Sequence, residues 1–247
     1  LLKAAVKSHI LLKSHILLKG QVLKRGGGSM ATIAIFGGTG YAGSAIRDEA
    51  LRRGHRVLSV TRSGTPDGAP QAPNLEFRQG SVHDAALVDR IAAEADVIVI
   101  SIRFAPTPED VKLIDAFPAL TRACAAHGTR LGVVGGAASL DVAEGGPRLI
   151  DTPEFPDAFK PEAGSAASTL DALRADTTGV DWFFVSPAQE FGSYVPGEPR
   201  GAYRVGGDVL LRDEAGRSHI SGADYALAFV DEIDQPKHHR TRFTVAY

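Results

Sequence analysis

A single cysteine, Cys124, and a single methionine, Met30, are the whole sulfur content of this 247-residue chain. One cysteine can form neither an internal disulfide nor a cysteine-rich metal centre, and its presence unpaired fits a reducing, cytoplasmic setting. Its neighbours Ala123 and Ala125 suit a packed helix better than a nucleophile. No apolar run is long enough to span a membrane. Three catalytic signatures are also missing: the Gly-x-Ser-x-Gly elbow of hydrolases, the Gly-x-x-x-x-Gly-Lys phosphate loop and the His-Glu-x-x-His metal site. A formal net charge of −2 gives no electrostatic case for nucleic acid or a membrane surface. That figure hides an asymmetry, because residues 1–29 hold six Lys or Arg and no acid, which leaves −8 on residues 30–247.

The first 29 residues carry a repeat, Ser8 to Lys13 recurring as Ser14 to Lys19, and close with Gly26-Gly27-Gly28-Ser29 before Met30. They read as an added peptide and linker, with Met30 the natural start; a cationic targeting peptide is the other reading. His9 and His15 belong to the repeat rather than to a metal site, and no metal is expected. Residues 30–247 are then one domain.

What the domain does have is a glycine turn. The apolar run Ile33-Ala34-Ile35-Phe36 stops at Gly37-Gly38-Thr39-Gly40-Tyr41-Ala42-Gly43, and a helical pattern begins. Glycines let a chain turn sharply and approach a pyrophosphate, and the helix that follows aims its unpaired amides at the same anion. Gly-x-Gly-x-x-Gly alone is weak, but here a strand precedes it, a helix (Tyr41 to Arg53) follows, and Arg56 to Thr61 reads as a second strand.

Alternation continues. Leu75 to Arg78 reads as a strand, Ala85 to Ala95 as a helix whose cap falls to His83 and Asp84, and Asp96 to Ser101 as a buried strand. Glu109 to His127 reads as a helix, Arg130 to Gly136 as a strand, Ala163 to Thr177 as a helix and Asp181 to Pro187 as a sixth strand. The pattern predicts an α/β, Rossmann-type doubly wound parallel sheet with ligands at the carboxyl ends of its strands. A small C-terminal lobe on the substrate side follows, with a hairpin of Tyr203-Arg204-Val205 and Val209-Leu210-Leu211 about Gly206-Gly207-Asp208. A capping box of Ser221 and Asp224 opens a helix from Gly222 to Glu232, and Arg242 to Val245 is expected as a closing edge strand. His238 and His239 are expected on a solvated turn. The long connections Arg103 to Pro108 and Asp141 to Glu162, the second with Pro147, Pro153, Pro156 and Pro161, are expected to wall the substrate pocket, with residues 189–220 beside them.

Sites that prefer NAD usually carry a carboxylate about 20 residues beyond the glycines. No Asp or Glu lies between Glu49 and Asp67, and the second strand ends in Thr61-Arg62-Ser63 instead. A guanidinium beside a hydroxyl suits the 2′-phosphate, so NADP(H) is expected over NAD(H).

With the glycine turn, Thr61-Arg62-Ser63, Val134-Gly135-Gly136-Ala137, Val185-Ser186-Pro187-Ala188 and Ile220 to Ala226 in view, residues 30–247 resemble the atypical short-chain dehydrogenase/reductase superfamily. Leu149 to Pro156 with Phe159-Lys160-Pro161-Glu162 makes the likeness closest to the NADH-flavin reductase group, related to biliverdin reductase B and NmrA-like proteins. The resemblance implies that Gly37, Gly38, Thr39, Gly40, Tyr41, Ala42 and Gly43 surround the pyrophosphate, with Arg62 and Ser63 at the adenosine phosphate. It further implies Ser81 and Val82 beside the adenine, and Ser101, Ile102 and Arg103 along the ribose and nicotinamide. Gly135, Gly136, Ser186, Pro187 and Ala188 complete that pocket, and Phe104 and Lys160 become candidate acceptor contacts.

The Tyr-x-x-x-Lys pair of typical superfamily members is absent. Ala45, Glu198, Gly207 and Phe229 stand four residues after Tyr41, Tyr194, Tyr203 and Tyr225, and Tyr247 ends the chain. Carbonyl chemistry needs a positioned acid, so a reductase without that relay should favour acceptors whose reduced anion is stable, such as FMN, riboflavin or quinones. The expected partner is therefore a small, flat aromatic acceptor. Ser139 falls near the position of the typical catalytic serine and either hydrogen-bonds the acceptor or satisfies a turn. A non-enzymatic NADP sensor of NmrA-like kind is the alternative reading, and an epimerase or dehydratase the third.

Overall fold

The computed structural model describes residues 30–104 and 112–247. The amino-terminal peptide with His9 and His15, and residues 105–111 with most of the first expected pocket wall, lie outside the described residues. Eight strands form one sheet: β1 (Thr32–Phe36), β2 (Arg56–Thr61), β3 (Leu75–Gln79), β4 (Val97–Ile100), β5 (Arg130–Val134), β6 (Trp182–Ser186), β7 (Arg204–Gly206) and β8 (Thr241–Ala246). Five helices cover it: α1 (Tyr41–Arg52), α2 (Ala85–Glu94), α3 (Phe117–His127), α4 (Lys160–Arg174) and α5 (Gly222–Asp234).

The strand order is β3-β2-β1-β4-β5-β6-β8-β7, and only the β7–β8 pair is antiparallel. From β1 the chain winds outward to β3, then returns to lay β4 on the other side of β1, with Ile33 opposite both Val57 and Val97. The order reverses between β1 and β4, and in such sheets a ligand crevice opens outside the carboxyl ends at that switch.

Alternate strand residues serve opposite faces. Ala34, Phe36, Leu58, Val60, Ile98, Ile100, Leu131, Val133 and Phe184 pack with α2, α3 and α4, where Val88, Leu120 and Leu170 point inward. Ile33, Ile35, Val57, Val99, Phe183, Val185 and Phe243 pack with Ile46 of α1 and Phe229 of α5. Cys124 is fully buried in the first layer, and burial pushes its thiol up to about 12, which suits a core residue. A third cluster, Leu140, Leu149 and Leu210, ties the connection after β5 to the segment after β7.

Several expectations need correction. No hairpin joins 203–205 to 209–211: β7 pairs with β8, while Val209 bridges to Asp141. The Gly-Gly-Asp signal was local, and the pairing that won is 40 residues away in sequence. Strand β8 is not an edge either, since it lies between β6 and β7. Helix α4 begins at Lys160 rather than Ala163 because Pro161 sits in its first turn, where its missing amide costs nothing. Described α3 begins at Phe117, preceded by a 3₁₀ turn over Leu113–Ala116, rather than running unbroken from Glu109. His238 is not on a solvated turn: its ring stacks on Phe243 with centroids 4.0 Å apart and its Nδ1 lies 2.7 Å from a Glu232 oxygen. His239 is the exposed one, paired with Asp181.

Candidate active site

The first turn after β1 is shaped by three glycines that the protein itself requires. Gly37 has φ +89°, and a Cβ there would lie 2.2 Å from the Ser101 carbonyl oxygen, so the turn touches the exit of β4. A Cβ on Gly43 would lie 2.1 Å from the Gly37 carbonyl oxygen, and one on Gly38 would lie 2.5 Å from the Ser59 hydroxyl. Gly40 differs: the nearest atom to a Cβ there is the Gly37 oxygen at 3.5 Å, an ordinary contact.

Gly40 is also the N-cap of α1, and no side chain caps that helix and no acid stands in its first turn. The amides of Tyr41, Ala42 and Gly43 therefore face the open side of Gly40 without an internal partner, an arrangement that fits a pyrophosphate. Thr39 and Gly40 are exposed, as access by a ligand demands. The side chain of Tyr41 does something else. Its hydroxyl donates to the Pro196 carbonyl at 3.0 Å and accepts from the Gly222 amide at 2.9 Å, and its ring meets Phe191 edge-on. Tyr41 thus struts α1 against α5 and offers a dinucleotide only its backbone.

At the end of β2, the Thr61 hydroxyl donates to the Gly64 carbonyl and closes the turn. Arg62 and Ser63 are exposed, and among the described residues the Arg62 guanidinium makes no ion pair; only its carbonyl is engaged, by Gln79 Nε2 at 3.1 Å. Val82 is buried under the same edge, and the Ser81 hydroxyl accepts from the His83 amide. Asp84 caps α2 through the Leu87 amide at 3.0 Å, whereas His83 is exposed and caps nothing.

The β4 exit is half-buried at Ser101 and Ile102, and Ser101 donates its amide to the Phe36 carbonyl at 2.9 Å. Arg103 reaches across to α4, with Nη2 3.0 Å from Glu162 Oε2, and that carboxylate holds its guanidinium above the ordinary value. Phe104 is 5% exposed and packs in the core with Leu113 and Phe117, so the structure gives it to the fold and not to an acceptor. Lys160 is about half exposed at the start of α4, paired with Asp157 at 2.6 Å.

Gly135 is small for an internal reason, since a Cβ there would lie 1.9 Å from the Phe184 ring. Gly136 faces Ala166 of α4. Ser186, Pro187 and Ala188 are buried at the end of β6. Ser139 is 6% exposed, and both its hydroxyl and that of Ser186 accept from Nη1 of Arg242, at 3.4 and 3.3 Å. Arg242 was not singled out by sequence reasoning; a lone arginine in a strand reads as a solvent-facing charge, and only the pairing of β8 between two strands buries it. Its other nitrogens meet Asp208, which also takes Arg174.

Four of the five tyrosines are committed to the fold. Besides Tyr41, Tyr225 is fully buried and donates to the Val185 carbonyl at 2.8 Å, Tyr203 bonds Asp231, and Tyr247 bonds Asp224. Ser221 caps α5 through the Asp224 amide, but the second half of the expected box is missing: Asp224 instead binds the amides of Arg200 and Gly201. Tyr194 is exposed. A surface cavity of about 520 Å³ between α1 and the start of α5 touches no strand end and shares only Tyr41 with this site. Among the described residues there is no group of three metal-ligating side chains and no helix long and apolar enough to cross a membrane.

Comparison with known proteins places this geometry in context. The sequence model described as NAD(P)H-binding matches residues 37–236. An uncharacterized protein of Bacillus subtilis, YwnB, is 36% identical over 214 residues, covering 86% of this chain and 97% of that one. Among solved structures, a candidate epimerase from Bacteroides thetaiotaomicron superposes with TM-score 0.77 at 33% identity, covering 88% of this chain and 97% of its own. A candidate NADH-flavin reductase from Streptococcus pneumoniae superposes with TM-score 0.76 at 34% identity, covering 87% and 99%.

Proposed function

This chain belongs to the NAD(P)H-binding family, with an atypical short-chain dehydrogenase/reductase fold, and from that premise we propose that it is an NADP(H)-preferring reductase of flat aromatic acceptors, FMN, riboflavin or a quinone. The observation that carries the cofactor half is the uncapped start of α1 beside the open face of Gly40. Gly37 to Gly43 would hold the pyrophosphate on backbone amides, and Arg62 with Ser63 the 2′-phosphate. A dinucleotide bound there would supply a hydride, and the residues at the carboxyl ends of β4, β5 and β6 would border it.

The acceptor half rests on what the strand ends offer. With the Tyr-Lys pair absent from the sequence and four phenols held in structural bonds, a ketone would lack a proton donor. Flavins and quinones need none at the moment of transfer, because their reduced anions are delocalised and take a proton from water. The chain's task is then to hold two rings together and exclude solvent. The likeness to the Streptococcus pneumoniae protein supports the same acceptor class. An unpaired, buried Cys124 suits a cytoplasmic setting, and the partner is a small molecule.

Following NADPH and NADH absorbance with FMN, riboflavin or 1,4-naphthoquinone tests this reading; NADPH that binds without turnover of any acceptor would replace it with an NADP-binding sensor. Arg62→Ala should weaken NADPH by about 10- to 100-fold, the worth of a charge-assisted phosphate contact, and leave NADH within about twofold. Titration of intrinsic fluorescence with each dinucleotide checks it, and equal losses would remove Arg62 from the phosphate.

A further inference from the structure

The buried stripe of α1 runs through Gly43, Ile46, Arg47 and Ala50, the spacing of a helix face turned to the core. Three of these are small or apolar, and the fourth carries a guanidinium at 7% exposure. Burying such a group costs free energy unless its donors are met. Arg47 Nε lies 2.8 Å from Asp48 Oδ1, whose side chain is 60% exposed, and Nη1 donates to the Gly38 carbonyl at 3.0 Å. The cation therefore sits against the glycine turn, on its buried side.

That carbonyl matters because of the amide at the other end of the same peptide. In a trans peptide the C=O and the following N–H point in opposite directions. Holding the Gly38 oxygen on the buried side turns the Thr39 N–H the other way, toward the side on which Thr39 and Gly40 are exposed. Among the described residues the Thr39 amide has no partner, whereas the amides of Gly37 and Gly40 are taken by the Val60 and Gly37 carbonyls. Gly38 cannot be pinned by a side chain of its own, since a Cβ there would lie 2.5 Å from the Ser59 hydroxyl, and a glycine left unpinned is the freest of residues. Arg47 is the pin.

We propose that Arg47 is a positioning residue for the dinucleotide: its guanidinium fixes and polarises the Gly38–Thr39 peptide, so that the Thr39 amide joins those of Tyr41, Ala42 and Gly43 as a donor to the pyrophosphate. This deepens the reading that the turn holds that group and rests on it. Arg47 acts through the peptide and need not reach the ligand, which separates its role from that of Arg62. A pinned peptide serves NADPH and NADH equally, because both carry the pyrophosphate.

The test uses the full chain and two variants, Arg47→Met, which keeps the bulk of the stem, and Arg47→Lys, which keeps a charged donor. In proton–nitrogen correlation spectra of the wild type, the Thr39 amide should move downfield with those of Tyr41, Ala42 and Gly43 when NADP⁺ is added. In Arg47→Met the Thr39 response should be lost while the other three remain. The same variant should bind NADPH and NADH each about tenfold more weakly, and adenosine 2′-monophosphate, which has the 2′-phosphate and no pyrophosphate, within about twofold. Arg47→Lys should recover most of the affinity and the Thr39 response. A loss confined to NADPH, an equal loss for adenosine 2′-monophosphate, unchanged dinucleotide affinity, or a Thr39 amide that does not respond in the wild type would overturn the proposal. The Thr39 signal in the wild type and in Arg47→Lys decides the matter even where Arg47→Met does not fold. A wild-type chain that binds neither dinucleotide would instead sink the cofactor reading itself, so the two failures are distinguishable.

Discussion

Gly40→Asp should cost at least about 100-fold in affinity for NADPH and NADH alike, roughly 2.7 kcal/mol or more, while leaving the melting temperature unchanged or slightly raised. The two halves of that result have opposite signs for one reason. A Cβ at Gly40 meets only the Gly37 oxygen at 3.5 Å, and the backbone there, φ −75° and ψ 174°, suits any residue. Aspartate is among the preferred N-cap residues, and its carboxylate would complement the helix dipole by about 0.5–1 kcal/mol. The same carboxylate would occupy the anion site and repel a pyrophosphate. Gly43→Ala makes the contrast, since its Cβ would fall 2.1 Å from the Gly37 oxygen and must lower stability and binding together. Calorimetric melting beside dinucleotide titration separates the cases. A Gly40→Asp chain that still binds NADPH as tightly as wild type would show that the cofactor does not use this turn.

That glycine turn was legible because its signal is covalent and local. The boundaries of β2 and the start of α1 follow from residues within a few positions of each other, and the parallel sheet follows from the alternation of such units. The lobe after β6 was not legible. Strand β7 is three residues long and pairs with β8 across an intervening helix, so a Gly-Gly-Asp signal beside it pointed to a hairpin that the tertiary pairing overrode.

The same distance in sequence hid the polar networks. Asp224 has the spacing of half a capping box, yet its carboxylate binds two amides from 200–201 and the hydroxyl of the last residue, Tyr247, instead of the Ser221 amide. Arg242 finds Ser139 103 residues upstream. Phe104 erred the other way: an aromatic just past a strand end suggests a ligand wall, but the chain turns it into the layer under α3. Period and composition report which face of an element is apolar, and they are silent on which distant polar atom a buried charge will meet.

The second large effect belongs to the opposite end of the sheet, where Glu232 is 3% exposed near the end of α5. Arg130, the first residue of β5, reaches its Oε1 at 2.6 Å and its carbonyl at 2.8 Å, and also bonds Asp181 and the His238 carbonyl while lying over the Phe183 ring. Glu232 also accepts from the Lys237 and His238 amides and from His238 Nδ1. Replacing one partner of such a pair strands the other charge, so Glu232→Ala should cost about 3–5 kcal/mol, or roughly 6–20 °C in Tm at about 2–4 °C per kcal/mol. Burial alone would raise the Glu232 pKa, but the hydrogen bonds from Arg130, His238 and the two amides outweigh it and hold the carboxyl below the ordinary value. A carboxylate with a depressed folded pKa stabilises the fold above its unfolded pKa, and that contribution is lost as pH falls through the folded value. Glu232→Gln should therefore be less stable than wild type at pH 7, and the gap should narrow as the solution is acidified below the ordinary glutamate range. Urea titrations across that range read both quantities, and a pH-independent gap would assign the effect to packing instead of charge. Since Arg130 opens β5 and the ligand crevice lies at its far end, NADPH affinity should not change in either variant at temperatures where it stays folded. A loss of affinity there would mean that the two ends of the sheet are coupled.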